Sequence, residues 1–242
     1  MLASVALAVF AAGLMGGLTG IGGVLVVPAL TGFAAVPLDR AVASSMLAFF
    51  VAGLPVAWIH VRRSPPPLRS LLLVCAAAAL GAIAGALTLD RLPGGAVRAF
   101  IAVLAIASGL HALLRPKNRH ERWLPDAALA AIALVIGYGS AISGTGGPVT
   151  MIPTLLWLGM PVRPVIALSV AAQLPITASA TVVNAAAGRL DLELALTVMA
   201  VLLAGTVIGA LLSARLSSRT LTVTVALVLI ATGVWYAFTI AA

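Results

Sequence analysis

The stretch GLTGIGGVLVVPAL, residues 17–30, sets four glycines and a proline inside a run that carries no charge from Met1 to Leu38. Glycine costs about 1 kcal/mol relative to alanine in a helix interior, so this composition argues against one continuous helix. A second stretch, GSAISGTGGPVTMIPTL at 139–155, repeats the pattern. How the chain is organised follows from these two interruptions and from what surrounds them.

The surroundings are apolar. Of 242 residues, 62% are hydrophobic and 8% charged, with a mean hydropathy of +1.20. A soluble domain carries about 25% charged residues. The charges cluster, leaving charge-free runs at 1–38, 41–61, 70–89, 99–114, 127–162, 164–188, 194–214 and 220–242. A helix that crosses a bilayer takes roughly 20 apolar residues, so the expected class is an all-α polytopic membrane protein. The net charge of +8 comes from bases in the short loops between runs, their usual place in membrane proteins. A nucleic-acid partner is therefore not expected. Cys75 stands alone, and no His or Cys cluster has metal-ligand spacing; neither a metal nor a cofactor is expected. The first basic residue is Arg40, so no cleaved leader is expected either.

Shifted by 124 positions, the chain aligns with itself. Gly13 falls on Gly137, Gly20 on Gly144, Gly22 on Gly146 and Gly23 on Gly147; Pro37 falls on Pro161, Gly81 on Gly205 and Gly85 on Gly209. Two membrane repeats, 1–120 and 121–242, are expected around the basic linker RPKNRHER at 115–122. Each has one long broken run and three ordinary helices. A straight helix of 36 to 38 residues would reach about 55 Å, far beyond a hydrocarbon core of about 30 Å. If each broken run returns to its own side, the repeats are inverted, and the 14 basic residues divide 10 to 4 between the two faces. If each run crosses once, the repeats are parallel and the division is 8 to 6. The rule that basic loops stay cytoplasmic favours the inverted arrangement, with both termini outside the cytoplasm.

Non-helical backbone at membrane depth persists only inside protein or beside a watery cavity. A new short helix is expected after each Gly pair, near Val24 and Val149. The first N–H groups of a helix lack partners and carry the positive end of its dipole, which suits an anion. The candidate substrate-binding residues are Thr19, Gly20, Gly22 and Gly23 in one repeat, and Ser143, Gly144, Thr145, Gly146 and Gly147 in the other. Gln173, near the middle of its run, reads equally as a helix–helix hydrogen bond or a substrate contact. Gly81/Gly85 and Gly205/Gly209 read as packing pairs of the GxxxG kind. His60 and Asn184, also related by the repeat, are expected at the interface. All six acidic residues lie between the runs, so no carboxylate stands at the midplane to coordinate a cation. A small anion is the expected solute.

The doubled pattern, GLTGIGGVLVVPAL and AISGTGGPVTMIPTL, resembles the TauE/SafE sulfite exporter family over essentially the whole chain. The signature glycines of that family match Gly20, Gly22 and Gly23 with Pro28, then Gly144, Gly146 and Gly147 with Pro153. Pro148, directly after the second Gly pair, departs from the first copy and removes one N–H donor. The resemblance implies a multi-pass transporter in a bacterial inner membrane, for sulfite or related sulfur-containing anions, and no enzyme. Three other readings are a channel-like facilitator, an intramembrane hydrolase using Ser143, and a non-transporting subunit whose glycines only pack.

Overall fold

The computed structural model of the chain describes residues 3–114 and 122–212, with scattered helical positions between 223 and 238. The linker from Arg115 to Glu121 and most of the chain after Leu212 lie outside the described residues. Nine α-helices are described in full: α1 (Ala3–Thr19), α2 (Val26–Phe33), α3 (Leu38–Arg63), α4 (Leu68–Thr88), α5 (Gly94–Leu114), α6 (Asp126–Ser143), α7 (Pro148–Trp157), α8 (Val162–Ala186) and α9 (Leu192–Leu212). Five stretches among the described residues are long and apolar enough to cross a membrane: α3, α4 with its 3₁₀ extension to Arg91, α6, α8 and α9.

Prolines set the starts. Pro37, Pro67, Pro125 and Pro161 cap α3, α4, α6 and α8. Each holds an extended ψ, and its carbonyl accepts the first helical N–H, from Ala41, Leu71, Leu129 and Val165. Proline loses nothing there, because the N–H it lacks would have no helical partner. Pro37 and Pro161 are mates in the 124-residue repeat, so the same residue opens the same helix in both halves.

Glycines set the contacts. α1 lies parallel to α9, with Gly13 against Leu202, Gly17 against Thr206, and Gly205 and Gly209 against Phe10 and Leu14. α4 lies parallel to α6 in the same way, through Gly81, Gly85 and Gly137 against Leu134, Tyr138 and Ala78. A Cβ at any of these would overlap a backbone atom of the facing helix. Small residues thus let backbones meet, which is how helices associate where apolar burial supplies no driving force. The packing reading of Gly81/Gly85 and Gly205/Gly209 holds, and it extends to Gly13/Gly17.

The two ends of the bundle are tied by polar bonds. At one end Asp126 pairs with Arg69 at 3.2 Å and accepts from Ser70 at 2.6 Å, while the Trp123 indole donates to Ser70. There the Arg122 N–H, just before α6, donates to the carbonyl of Gly159, just after α7, at 3.0 Å. At the other end Arg189 pairs with Asp90 at 2.8 Å and donates to the Ala86 carbonyl at 2.8 Å. Ser44, near the start of α3, donates to the Asp191 carbonyl at that same end. The antiparallel helices α3 and α8 pass through the centre, in contact at Val56, Ala57 and Val170.

Candidate functional site

Both glycine stretches interrupt helices, and the first step of the interruption is the same in each. The N–H of Gly20 donates to Gly16 at 2.8 Å, and the N–H of its mate Gly144 donates to Ser140 at 3.0 Å. Both glycines take positive φ, +79° and +72°, a conformation that closes helix C-termini and that side chains disfavour. Beyond that step the copies diverge. Gly23 opens a 3₁₀ turn to Leu25 that leads into α2. Gly147, at φ +113°, caps α7 directly, with Pro148 in its first turn. The new helix in the second copy begins at Pro148, as expected near Val149. In the first copy the α-helix proper is delayed to Val26.

The two interruptions meet. Gly23 packs so closely on the Thr145 carbonyl that no Cβ fits between them. Gly22 packs back on Ala12 and Gly16 of α1, so the chain has reversed within three residues of Thr19. Beside this junction lies a cavity of about 30 Å³, room for about two water molecules. Gly20, Gly22, Gly23, Thr145 and Gln173 line it, with Phe49 and Gly53 of α3 and Thr206 of α9. The buried N–H groups of Gly22, Gly146 and Gly147 donate to no backbone carbonyl among the described residues, although burying an unpaired donor is costly.

Five of the ten candidate residues therefore line the cavity. Ser143 stands one step behind it, with its Oγ 2.9 Å from Thr145 Oγ1. Gly144 sits against Val27 and Val42, and Gly146 against Phe49 and Thr177. The side chain of Thr19 lies outside the described residues. Gln173 acts as a helix–helix bond, its Nε2 donating to the Phe49 carbonyl at 2.9 Å, and it lines the cavity as well. Phe49 is the repeat mate of Gln173, so this bond runs across the symmetry of the two halves. Gly53 makes room for it, since a Cβ there would come within 2.8 Å of Nε2.

The sequence reading passed over Phe49, Gly53 and Thr206. Thr206 had a signal, as the one hydroxyl inside the Gly205–Gly209 pair. Phe49 had none, because its contribution is a carbonyl. Asn184, expected at the interface, is fully buried. The turn after α8 folds over it, and the Arg189 N–H bonds the Asn184 carbonyl at 3.0 Å. As for a hydrolase, Ser143 bonds a threonine hydroxyl and the Ser140 carbonyl, while His60 lies in the last turn of α3.

The sequence profile of the family described as "Sulfite exporter TauE/SafE" matches residues 5–236. A "Probable membrane transporter protein ORF9" from Sinorhizobium sp is 27% identical over 150 residues, which span 60% of this chain and 57% of that protein. No solved structure matches the chain. With helix breaks in both halves, apolar helices throughout and a family match over nearly its full length, the chain belongs to the TauE/SafE sulfite exporter family.

Proposed function

We propose that this protein is a multi-pass membrane transporter for small anions, sulfite or organosulfonates among them, and that the junction of the two glycine stretches is its binding site. One observation carries this reading: the two helix breaks meet beside a cavity lined by Gly20, Gly22, Gly23, Thr145 and Gln173, where the Gly22 N–H donates to no backbone carbonyl among the described residues. Such donors, together with the Thr145 hydroxyl, neutralise an anion without any charged side chain. Discontinuous helices from two repeats commonly meet in this way at a transporter's substrate. Gly20, Gly22, Gly23 and Thr145 are the proposed contacts, with Gly146 and Gly147 next in the chain beyond the cavity wall, Gln173 holds α8 to α3 beside them, and Ser143 orients the Thr145 hydroxyl.

The proposed units are the repeats 1–120 and 121–242, in inverted orientation. In support, the Arg122–Gly159 bond closes the second break at the end of the bundle where Arg69 lies. The first break closes at the opposite end, since α1 runs parallel to α9 and α3 starts beside Asp191. Arg62, Arg63, Arg69, Arg122 and Arg163 then share one end, the cytoplasmic one in a bacterial inner membrane.

The test is thermal unfolding of the detergent-purified protein with sulfite, thiosulfate, sulfate, sulfoacetate and acetate at matched ionic strength, followed by flux in proteoliposomes. A ligand at 100 times its dissociation constant stabilises the fold by about 2.7 kcal/mol. A shift for one sulfur oxyanion, matched by its flux, is expected. Flux of none of these anions through correctly folded protein would sink the reading.

A further inference from the structure

Two buried polar groups near the Arg189 end of the bundle play no part in the site above. Asn184 is 0% exposed, and neither its Nδ2 nor its Oδ1 has a hydrogen-bond partner among the described residues. Arg189 is 6% exposed, and its Nε has no partner among the described residues, although Nη1 and Nη2 are both engaged. A buried amide left unpaired at both ends costs stability, and such groups in a native fold call for an explanation. A merely structural role gives none, since leucine would fill the same space without the cost.

Their position supplies one. On a helix of 3.6 residues per turn, Gln173, Thr177, Ala180 and Asn184 fall on one stripe. That stripe starts at the cavity, where Gln173 lines the wall and Thr177 faces Gly146. It ends under the turn that Arg189 anchors, about 16 Å further along the axis at 1.5 Å per residue. Thr181, on the flank of the stripe, also carries a buried hydroxyl with no partner among the described residues. Among its described polar groups, this end of α8 therefore holds unpaired donors and acceptors, with a guanidinium at its mouth.

We propose that this α8 stripe is the polar wall of the route between the central cavity and the Arg189 end of the bundle, and that Asn184 is a contact for the small anion on its way. The proposal rests on the transporter reading, which it deepens by naming one side of the path. The amide offers an anion two N–H donors, while its oxygen accepts from accompanying water. The Arg189 Nε, which has no partner among the described residues, offers one further N–H donor at the mouth.

The single native cysteine makes the test direct. In a Cys75→Ala background, Asn184→Cys is treated in intact proteoliposomes with the membrane-impermeant reagents sulfonatoethyl and trimethylammonioethyl methanethiosulfonate. Val182→Cys, on the exposed apolar surface at the same depth, is the control. Reaction of the anionic reagent at position 184 is expected, with none at 182. In parallel, Asn184→Leu is expected to raise the melting temperature while cutting anion flux about tenfold, and Asn184→Ser, which keeps a donor and an acceptor, to retain most of it. An unreactive thiol in folded Asn184→Cys, or full flux in Asn184→Leu, would overturn the proposal and leave the central site standing. If no anion moves through the wild type, the transporter reading fails, and the labelling pattern still reports whether a wet path reaches position 184.

Discussion

At the scale of single residues, the junction tolerates nothing larger than glycine at position 23. A methyl group there meets the Thr145 carbonyl, which is backbone and cannot rotate aside. Gly23→Ala is therefore expected to force the two breaks apart, at the upper end of the ~1–3 kcal/mol typical of overpacking, and to abolish flux. Gly147→Ala fails for a different reason. Its φ of +113° is strained for any L side chain, a cost of about 1–3 kcal/mol, and its Cβ would press on the flexible end of Ile176. It should unfold earlier than the wild type yet keep some transport. Melting curves paired with flux measurements separate the two, and equal behaviour of both variants would remove the distinction. These glycines were legible in the sequence because their polar neighbours and the excess length of each run are not explained by packing. Phe49 was not, since a carbonyl offered by an ordinary apolar residue leaves no mark on composition.

At the scale of elements, the glycines outside the junction hold helix pairs, and the repeat makes each pair predict the other. Gly81→Val drives a side chain into Leu134 of α6, and Gly205→Val drives one into Phe10 of α1. Both should lower the melting temperature by similar amounts. Gly95→Ala, with open space around it near the start of α5, should leave it unchanged or slightly raised. A neutral Gly205→Val would mean that α1 and α9 are not in backbone contact. The loop after α8 behaves differently. Asp90 is largely exposed, so Asp90→Asn loses a screened ion pair and should cost about 1 kcal/mol or less. Arg189→Ala also removes the donor to the Ala86 carbonyl and uncovers Asn184, so it should cost clearly more. An equal loss from both would show that the ion pair alone anchors the loop. Helix starts could be read from Pro37, Pro67, Pro125 and Pro161. The burial of Asn184 could not, because it depends on how the turn at 187–191 folds back across the helix end.

At the scale of the whole molecule, the proposed inverted arrangement would let two half-sites face each other. Two parallel copies would present their breaks to the same side, whereas inverted copies would bring them together from opposite sides, a reading that the contact of Gly23 with the Thr145 carbonyl supports. Charge counting favours the same arrangement, since basic residues separate 10 to 4 only if each broken run returns to its own side. What charge counting could not anticipate is the exchange of partners, α1 with α9 and α4 with α6. It arises from backbone contact through glycine and not from charge. The exchange has a physical consequence: neither repeat can bury the glycine faces of its own helices alone, so the halves should fold only together. The orientation itself is checked by labelling single cysteines in a Cys75→Ala background with an impermeant thiol reagent in right-side-out and inverted vesicles. Ala3→Cys and Ala35→Cys flank the first break and should react together from the periplasmic side. Arg122→Cys and Arg163→Cys flank the second and should react together from the cytoplasmic side, with Pro65→Cys as a cytoplasmic reference that leaves the basic loops intact. Labelling of 3 and 35 from opposite sides would mean that the first run crosses once. The repeats would then be parallel, and the two breaks could not converge on one anion in the manner proposed.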